Sequence, residues 1–264
     1  MADHVRALLR RFPRLKSCLK QLRSRIGGTS VSSHYEPLQT DKVDTESARL
    51  RNAWQSDSLP LKQRMLVDQQ LNRFRAGTAV DVFDVLVKAL RCIPEVAQLR
   101  SVLEIGCSSG FYSEVMDIAG FQFSYHGCDY SPAFISMARD RYPQLRFDVA
   151  DACSLNYADS AFDIVISGCC LLHIPEYEVA IAETARVAGR YAIFHRTPVL
   201  LEQPTRHFKK QAYGVETVEI HFNEAEFVSL LTKHGFKLLN TITLSEDVVN
   251  GERSAGRTYV CEKL

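Results

Sequence analysis

The stretch Ser101-Val102-Leu103-Glu104-Ile105-Gly106-Cys107-Ser108-Ser109-Gly110, followed by Phe111-Tyr112-Ser113-Glu114-Val115, decides the fold of this chain. Val102, Leu103 and Ile105 read as a short buried strand. Gly106 and Gly110 punctuate a tight turn, and Glu114-Val115-Met116 begins a helical pattern. Strand, glycine turn and helix in that order make a nucleotide-binding crossover. Gly106 can take positive φ, and Gly110 lets the helix pack close to the strand. The spacing is Glu-x-Gly-x-x-x-Gly, not the Gly-x-Gly-x-x-Gly of a dinucleotide site. Ser108 stands where a pyrophosphate needs bare backbone, which disfavours an NAD-type ligand. The acid two residues before Gly106 instead suits a cationic ligand with an amino-acid end.

Downstream, strands and helices alternate as in a mostly parallel sheet with right-handed crossovers. Strands are expected at 122–128, 145–149, 162–167 and 190–196. Helices are expected at 111–119, from Ser131-Pro132 to Arg141, and at 176–187. Ser131 caps and Pro132 opens the second of these. Residues 197–222 break the rhythm with Pro198, Pro204, Gly214 and the basic cluster Arg206, His207, Lys209 and Lys210, and read as a substrate-facing flap. Asn223 caps a helix to Lys233 with Glu226 at the capping-box position. Two last strands, near 236–244 and 256–262, flank the Asn250-Gly251 turn.

Asp129 closes the second strand, and an acid there can accept two hydrogen bonds from a ribose diol. With that residue in place the chain resembles the class I S-adenosylmethionine-dependent methyltransferases. Gly127-Cys128-Asp129-Tyr130-Ser131 is similar to that family's Gly-x-Asp-x-Ser stretch, and Asp148-Val149-Ala150-Asp151-Ala152-Cys153 to its third-strand turn. The resemblance covers about residues 80–264 and implies an α/β, Rossmann-like seven-stranded sheet of order 3-2-1-4-5-7-6 with strand 7 antiparallel. It also implies S-adenosyl-L-methionine as cofactor. The turn residues Gly106, Cys107, Ser108 and Gly110 would lie beside its methionine part with Glu104. Asp129 would take the ribose and Tyr130 would lie against the adenine. Asp151 and the backbone of Ala152 would meet the adenine edge, and Cys169, after strand four, joins the set. Trp54…Pro60-Leu61-Lys62-Gln63 is similar to a Trp…Pro-x-x-Gln pattern of some N-terminal caps in this family, which places Gln63 at the cofactor or substrate.

After strand four the chain reads Ser167-Gly168-Cys169-Cys170-Leu171-Leu172-His173, without the Asn/Asp-Pro-Pro-Tyr/Phe of enzymes that methylate base amines. A nucleic-acid acceptor is therefore disfavoured against a small molecule. His173 and His195 are the candidate general bases, His195 because ligands bind at strand ends in open α/β sheets. Phe194-His195-Arg196-Thr197-Pro198-Val199 with Ala212-Tyr213-Gly214-Val215 is similar to bacterial methyltransferases of surface-polysaccharide clusters, a pointer to a sugar-type or glycan acceptor methylated at oxygen. A scaffold that keeps the cofactor site without turnover is the rival reading.

Composition is that of a soluble protein, with 46% hydrophobic and 24% charged residues. No apolar run approaches the ~18 residues of a spanning helix. The eight cysteines show no Cys-x-x-Cys or zinc spacing, so buried thiols in a reducing cytoplasm are expected and no metal site is. Residues 1–26 carry eight Lys and Arg against one acid within a chain of net charge +1. Their apolar positions recur at helical spacing, as in a helix that lies on an anionic membrane surface, where a lipid-linked acceptor would be met, or that docks on the body of the protein or binds a partner. The division expected is a basic leader and linker over 1–44, a helical cap over 45–91 and the cofactor-binding domain over 92–264. The oligomeric state is not legible.

Overall fold

The apolar strand at 101–105 is the centre of a parallel array that fixes everything else. The computed structural model describes residues 32–249 and 252–264. Strand β2 (Ser101–Ile105) pairs in parallel with β3 (Ser124–Asp129) on one side and with β5 (Phe162–Gly168) on the other. β4 (Arg146–Val149) extends the first edge, and β6 (Ala188–Leu200) the second. Beyond β6 lies β10 (Glu252–Lys263), antiparallel to both β6 and β9 (Phe236–Val249). The order β4-β3-β2-β5-β6-β10-β9 is thus the order 3-2-1-4-5-7-6 with its seventh strand reversed.

Helices α4 (Phe111–Ile118), α5 (Pro132–Arg141) and α6 (Tyr177–Val187) are the crossovers. Ser131 caps α5 by accepting from the Phe134 amide, as its side chain and position require. Asn223 caps α7 (Glu224–Lys233) by accepting from the Glu226 amide at 2.9 Å. The reciprocal half of that box is absent, because Glu226 accepts from Thr205 instead. Two apolar layers cover the sheet. One holds Phe83, Leu86, Leu90, Val102, Ile164 and Val260; the other holds Ile181, Phe194, Phe222, Phe227 and Tyr259.

The N-terminal third departs from the expected division. Helices α1 (Val43–Leu50) and α2 (Leu59–Arg75), with a short 3-10 turn at Ala53–Gln55 between them, lie where a cap was expected. Helix α3 (Asp81–Arg91) does not act as a cap: Phe83, Leu86 and Leu90 are fully buried in the main core. Residues 32–37, expected as linker, form strand β1 (Ser32–Pro37).

The flap expected over 197–222 is regular structure. β6 runs on to Leu200, and β7 (Arg206–Ala212) and β8 (Val215–Asn223) make a hairpin. Tyr213 (φ 50) and Gly214 (φ 84) form its two-residue turn, with the paired positive φ values of a tight hairpin that follows strand twist. β1 adds to β7 antiparallel, and β8 joins the end of β6 in parallel through Val199–Phe222 and Leu200–Asn223. A small three-stranded sheet therefore roofs the carboxyl ends of the main strands. Among the described residues no helix is long and apolar enough to cross a membrane. The basic stretch 1–26 and the Asn250-Gly251 turn lie outside the described residues.

Gly110 opens α4 at φ +74, and a Cβ there would sit 2.6 Å from the Phe147 ring. Gly110→Ala is expected to lower unfolding free energy by about 2–4 kcal/mol, the left-handed penalty plus overpacking. Urea denaturation measures it, and a loss below about 0.5 kcal/mol would show that Phe147 simply moves aside.

Candidate functional site

The turn after β2 is held by its own backbone geometry. Gly106, Ser108 and Gly110 all have positive φ. A Cβ at Gly106 would meet Cys170 Cβ at 2.3 Å, so no side chain fits there. This coiling turns the Ser108 amide toward Asp129, whose Oδ2 accepts it at 2.9 Å, while Oδ1 accepts from the Ser131 amide at 2.9 Å. The end of β3 and the turn after β2 thus fix one another.

A cavity of about 380 Å³ opens at these strand ends. Glu104, Gly106, Ser108, Asp129, Tyr130, Asp151, Ala152, Cys169, His173 and Gln63 all line it. The structure brings together ten of the residues the sequence nominates. Gln63, from α2, accepts a hydrogen bond from the Ser108 hydroxyl. Tyr130 is tied to the segment before α2: its hydroxyl donates to the Arg51 carbonyl at 3.1 Å and accepts from the Trp54 amide at 3.1 Å.

Three nominated residues stand behind the wall. Cys107 is fully buried in the core, its amide bonded to the Cys128 carbonyl. Gly110 packs on Phe147. His195 is 1% exposed, and both ring nitrogens are taken, Nδ1 by Thr258 Oγ1 at 3.0 Å and Nε2 by the Tyr112 hydroxyl at 3.1 Å. Its imidazole cannot reach a substrate, which corrects the expectation that it is a base in contact with the acceptor. A strand-end position did not reveal this because β6 continues five residues past His195 to Leu200.

The electrostatics are those of a site awaiting a cation. Glu104 is 1% exposed and is bonded to the Tyr125 hydroxyl. Burial first, and then the neighbouring Asp129 charge, push its carboxyl well above the usual range despite the Tyr125 bond. Asp129 is pushed up to about 6 by burial, against the pull of its two backbone N–H bonds. Asp151 is half exposed; its Oδ1 accepts from the Cys153 amide at 2.9 Å, and Arg51 lies 3.8 Å from its Oδ2. His173 gives its Nδ1 proton to the Val218 carbonyl at 2.7 Å and lies 4.8 Å from the Trp54 ring. Burial and the nearby Lys210 charge lower its pKa to about 4.

The donor set fits S-adenosylmethionine. Glu104 forms no ion pair among the described residues and could meet an ammonium. Asp129 keeps spare lone pairs for hydrogen-bond donors, and Asp151 and Ala152 line the same cavity. Trp54, Tyr112, Arg196, Lys210, Tyr213 and Glu219 also line the cavity and were not nominated. Of these, Trp54, Tyr112, Arg196, Lys210 and Tyr213 lie in stretches the sequence singles out, and only Glu219 carried no signal.

Residues 103–194 match the family described as a methyltransferase domain. A trans-aconitate 2-methyltransferase of Variovorax paradoxus is 28% identical over 119 residues, 45% of each chain. A phthiotriol/phenolphthiotriol dimycocerosates methyltransferase of Mycobacterium leprae is 24% identical over 192 residues, 69% of this chain and 66% of that one. The chain thus matches less than two thirds of the length of either relative. The crystal structure of a 1,6-didemethyltoxoflavin-N1-methyltransferase from Burkholderia thailandensis shares the fold. Its TM-score is 0.56 at 14% identity, over 89% of this chain and 99% of that one.

Asp129 is expected to titrate near 6 in the unliganded protein. Its folded pKa is raised, so its contribution to stability is fully present below the unfolded value near 4 and is lost as pH rises through 6. Carboxyl carbon NMR, with Asp129→Asn to assign the signal, measures the midpoint. A value near 4 would show that the two backbone N–H bonds fully offset the cost of burial.

Proposed function

The chain is built on a class I S-adenosylmethionine-dependent methyltransferase domain, and we propose that it transfers a methyl group to an oxygen of a small-molecule acceptor. The observation that carries this is the convergence of Glu104, Asp129 and Asp151 on one cavity, with Glu104 buried and in no ion pair among the described residues. When bound, the cofactor supplies a methyl group already activated on a sulfonium, which passes to a nucleophile and leaves a thioether. The chain's own work is then alignment and exclusion of water. Glu104 would hold the ammonium and Asp129 the ribose. Trp54, Gln63 and Tyr130 would close the site from the N-terminal side, where the Trp54–Tyr130 and Ser108–Gln63 hydrogen bonds already pin the wall.

His173 bears on the acceptor. Its Nδ1 proton is committed to Val218, so Nε2 carries the lone pair. A base with pKa about 4 is weak, which favours an acceptor oxygen that is already ionised near neutral pH, such as a carboxylate. Trans-aconitate, named for the Variovorax relative, is such an acid. A sugar hydroxyl is less well served by His173.

Methyl-labelled S-adenosylmethionine and a small-molecule extract of the host test the reading. Wild type is expected to place label in an organic acid or acidic hydroxyl compound, and Asp129→Ala to lose at least 90% of it. Cofactor binding with no labelled product would mark a scaffold instead.

Glu104 gives a pH signature. Burial raises its carboxyl pKa, and a ligand ammonium would favour the carboxylate, so binding is expected to draw a proton off it. Affinity for S-adenosylhomocysteine is expected to rise with pH toward a limit of about tenfold per unit, and Glu104→Gln to flatten that rise. Calorimetry in buffers of different ionisation enthalpy reads the proton directly. No proton release in wild type would mean that Glu104 is already ionised.

A further inference from the structure

Three cations line the cavity, and two of them are answered. Arg51 pairs with Glu176 at 2.9 Å, and Lys210 with Glu219. Arg196 forms no ion pair with a carboxylate among the described residues. Its guanidinium lies beside Tyr112, Tyr213 and Cys169. Arg196 is half-buried in the cavity lining, and a half-buried guanidinium without a carboxylate partner favours an anion beside it.

The backbone is built to hold it there. Phe194 pairs with Tyr259 and Thr197 with Arg257, so His195 and Arg196 together oppose the single residue Thr258. This is a bulge in β6, and Arg196 takes φ +59 within it. Such a φ is uncommon for a residue with a long side chain and marks a conformation that its surroundings impose. Thr258 Oγ1 accepts the Arg196 amide at 3.2 Å and also bonds His195 Nδ1. His195 in turn holds the Tyr112 hydroxyl, which stands beside the guanidinium. The buried histidine therefore supports the group that lines the wall.

We propose that Arg196 is the anchor of the acceptor site and that the acceptor carries a carboxylate which its guanidinium grips. A single unanswered positive charge matches a monoanion better than a phosphate dianion, and the planar fork of Arg suits two carboxylate oxygens. The Trp54, His173 and Tyr213 rings, with centroids 4.8 and 6.3 Å from Trp54, give the same cavity an aromatic wall for the body of the acid. This inference rests on the methyl-transfer reading and adds the class of acceptor to it.

The test uses the full chain saturated with S-adenosylhomocysteine. Acetate, succinate, benzoate and cinnamate are titrated against their neutral amides by calorimetry or saturation-transfer NMR. At least one acid is expected to bind tenfold or more tighter than its amide. Arg196→Gln is expected to remove that preference while leaving S-adenosylhomocysteine affinity within twofold, and Arg196→Lys to retain part of it. If no acid outbinds its amide, the inference falls. If Arg196→Gln weakens S-adenosylhomocysteine as much as the acid, the residue serves the cofactor's carboxylate and the inference falls equally. If wild type does not bind S-adenosylhomocysteine at all, the methyl-transfer reading fails first.

Discussion

Two carboxylates buried at the ends of neighbouring parallel strands, with no ion-pair partner among the described residues, set the terms for this structure. Glu104 on β2 and Asp129 on β3 are each less than 10% exposed. Burial disfavours their charge, and each raises the cost of ionising the other. What keeps Asp129 in place is backbone: the amides of Ser108 and Ser131 both point at it. The first of those amides is available only because the turn after β2 coils through positive φ at three of five residues. Glycine at 106 and 110, the acid at 129 and the cap at Ser131 are therefore one mutually dependent arrangement. It presents two buried acids, both with raised pKa values, to one cavity.

The roof complements this floor. Strands β1, β7 and β8 form a small sheet whose buried Lys210–Glu219 pair is joined by His221 and by Tyr35 from β1. The chain before α1 thereby becomes part of the wall. Acids at the ends of β2 and β3 and the Arg196 guanidinium from the β6 bulge line the same cavity.

The core of this arrangement is local, and so it was legible in the amino-acid order. The run 101–115 encodes strand, turn and helix within fifteen consecutive residues, and Asp129 and Asp151 follow at strand ends where chemistry demands acids. The reversed last strand followed from family resemblance, not from periodicity. What escaped reading is non-local. Ser32–Pro37 has the Ser and Pro of a linker, and only its pairing with 208–212 makes it a strand. The flap hid a hairpin because its turn is Tyr213-Gly214, without the Asn or Asp that usually marks such a turn. Arg196 was passed over for His195 because a bulge, invisible in one strand's sequence, turns one residue into the cavity and its neighbour into the core. Helix α3 was grouped with the cap by position, though Phe83, Leu86 and Leu90 repeat at the spacing of a core-facing helix.

The most direct measurement is a crystal structure with S-adenosylhomocysteine bound. The account expects one ligand molecule along the strand ends, with Glu104 within hydrogen-bonding reach of its ammonium, Asp129 of its ribose hydroxyls and Asp151 of its adenine edge. A ligand seated elsewhere, or one that leaves Glu104 and Asp129 facing different cavities, would contradict it.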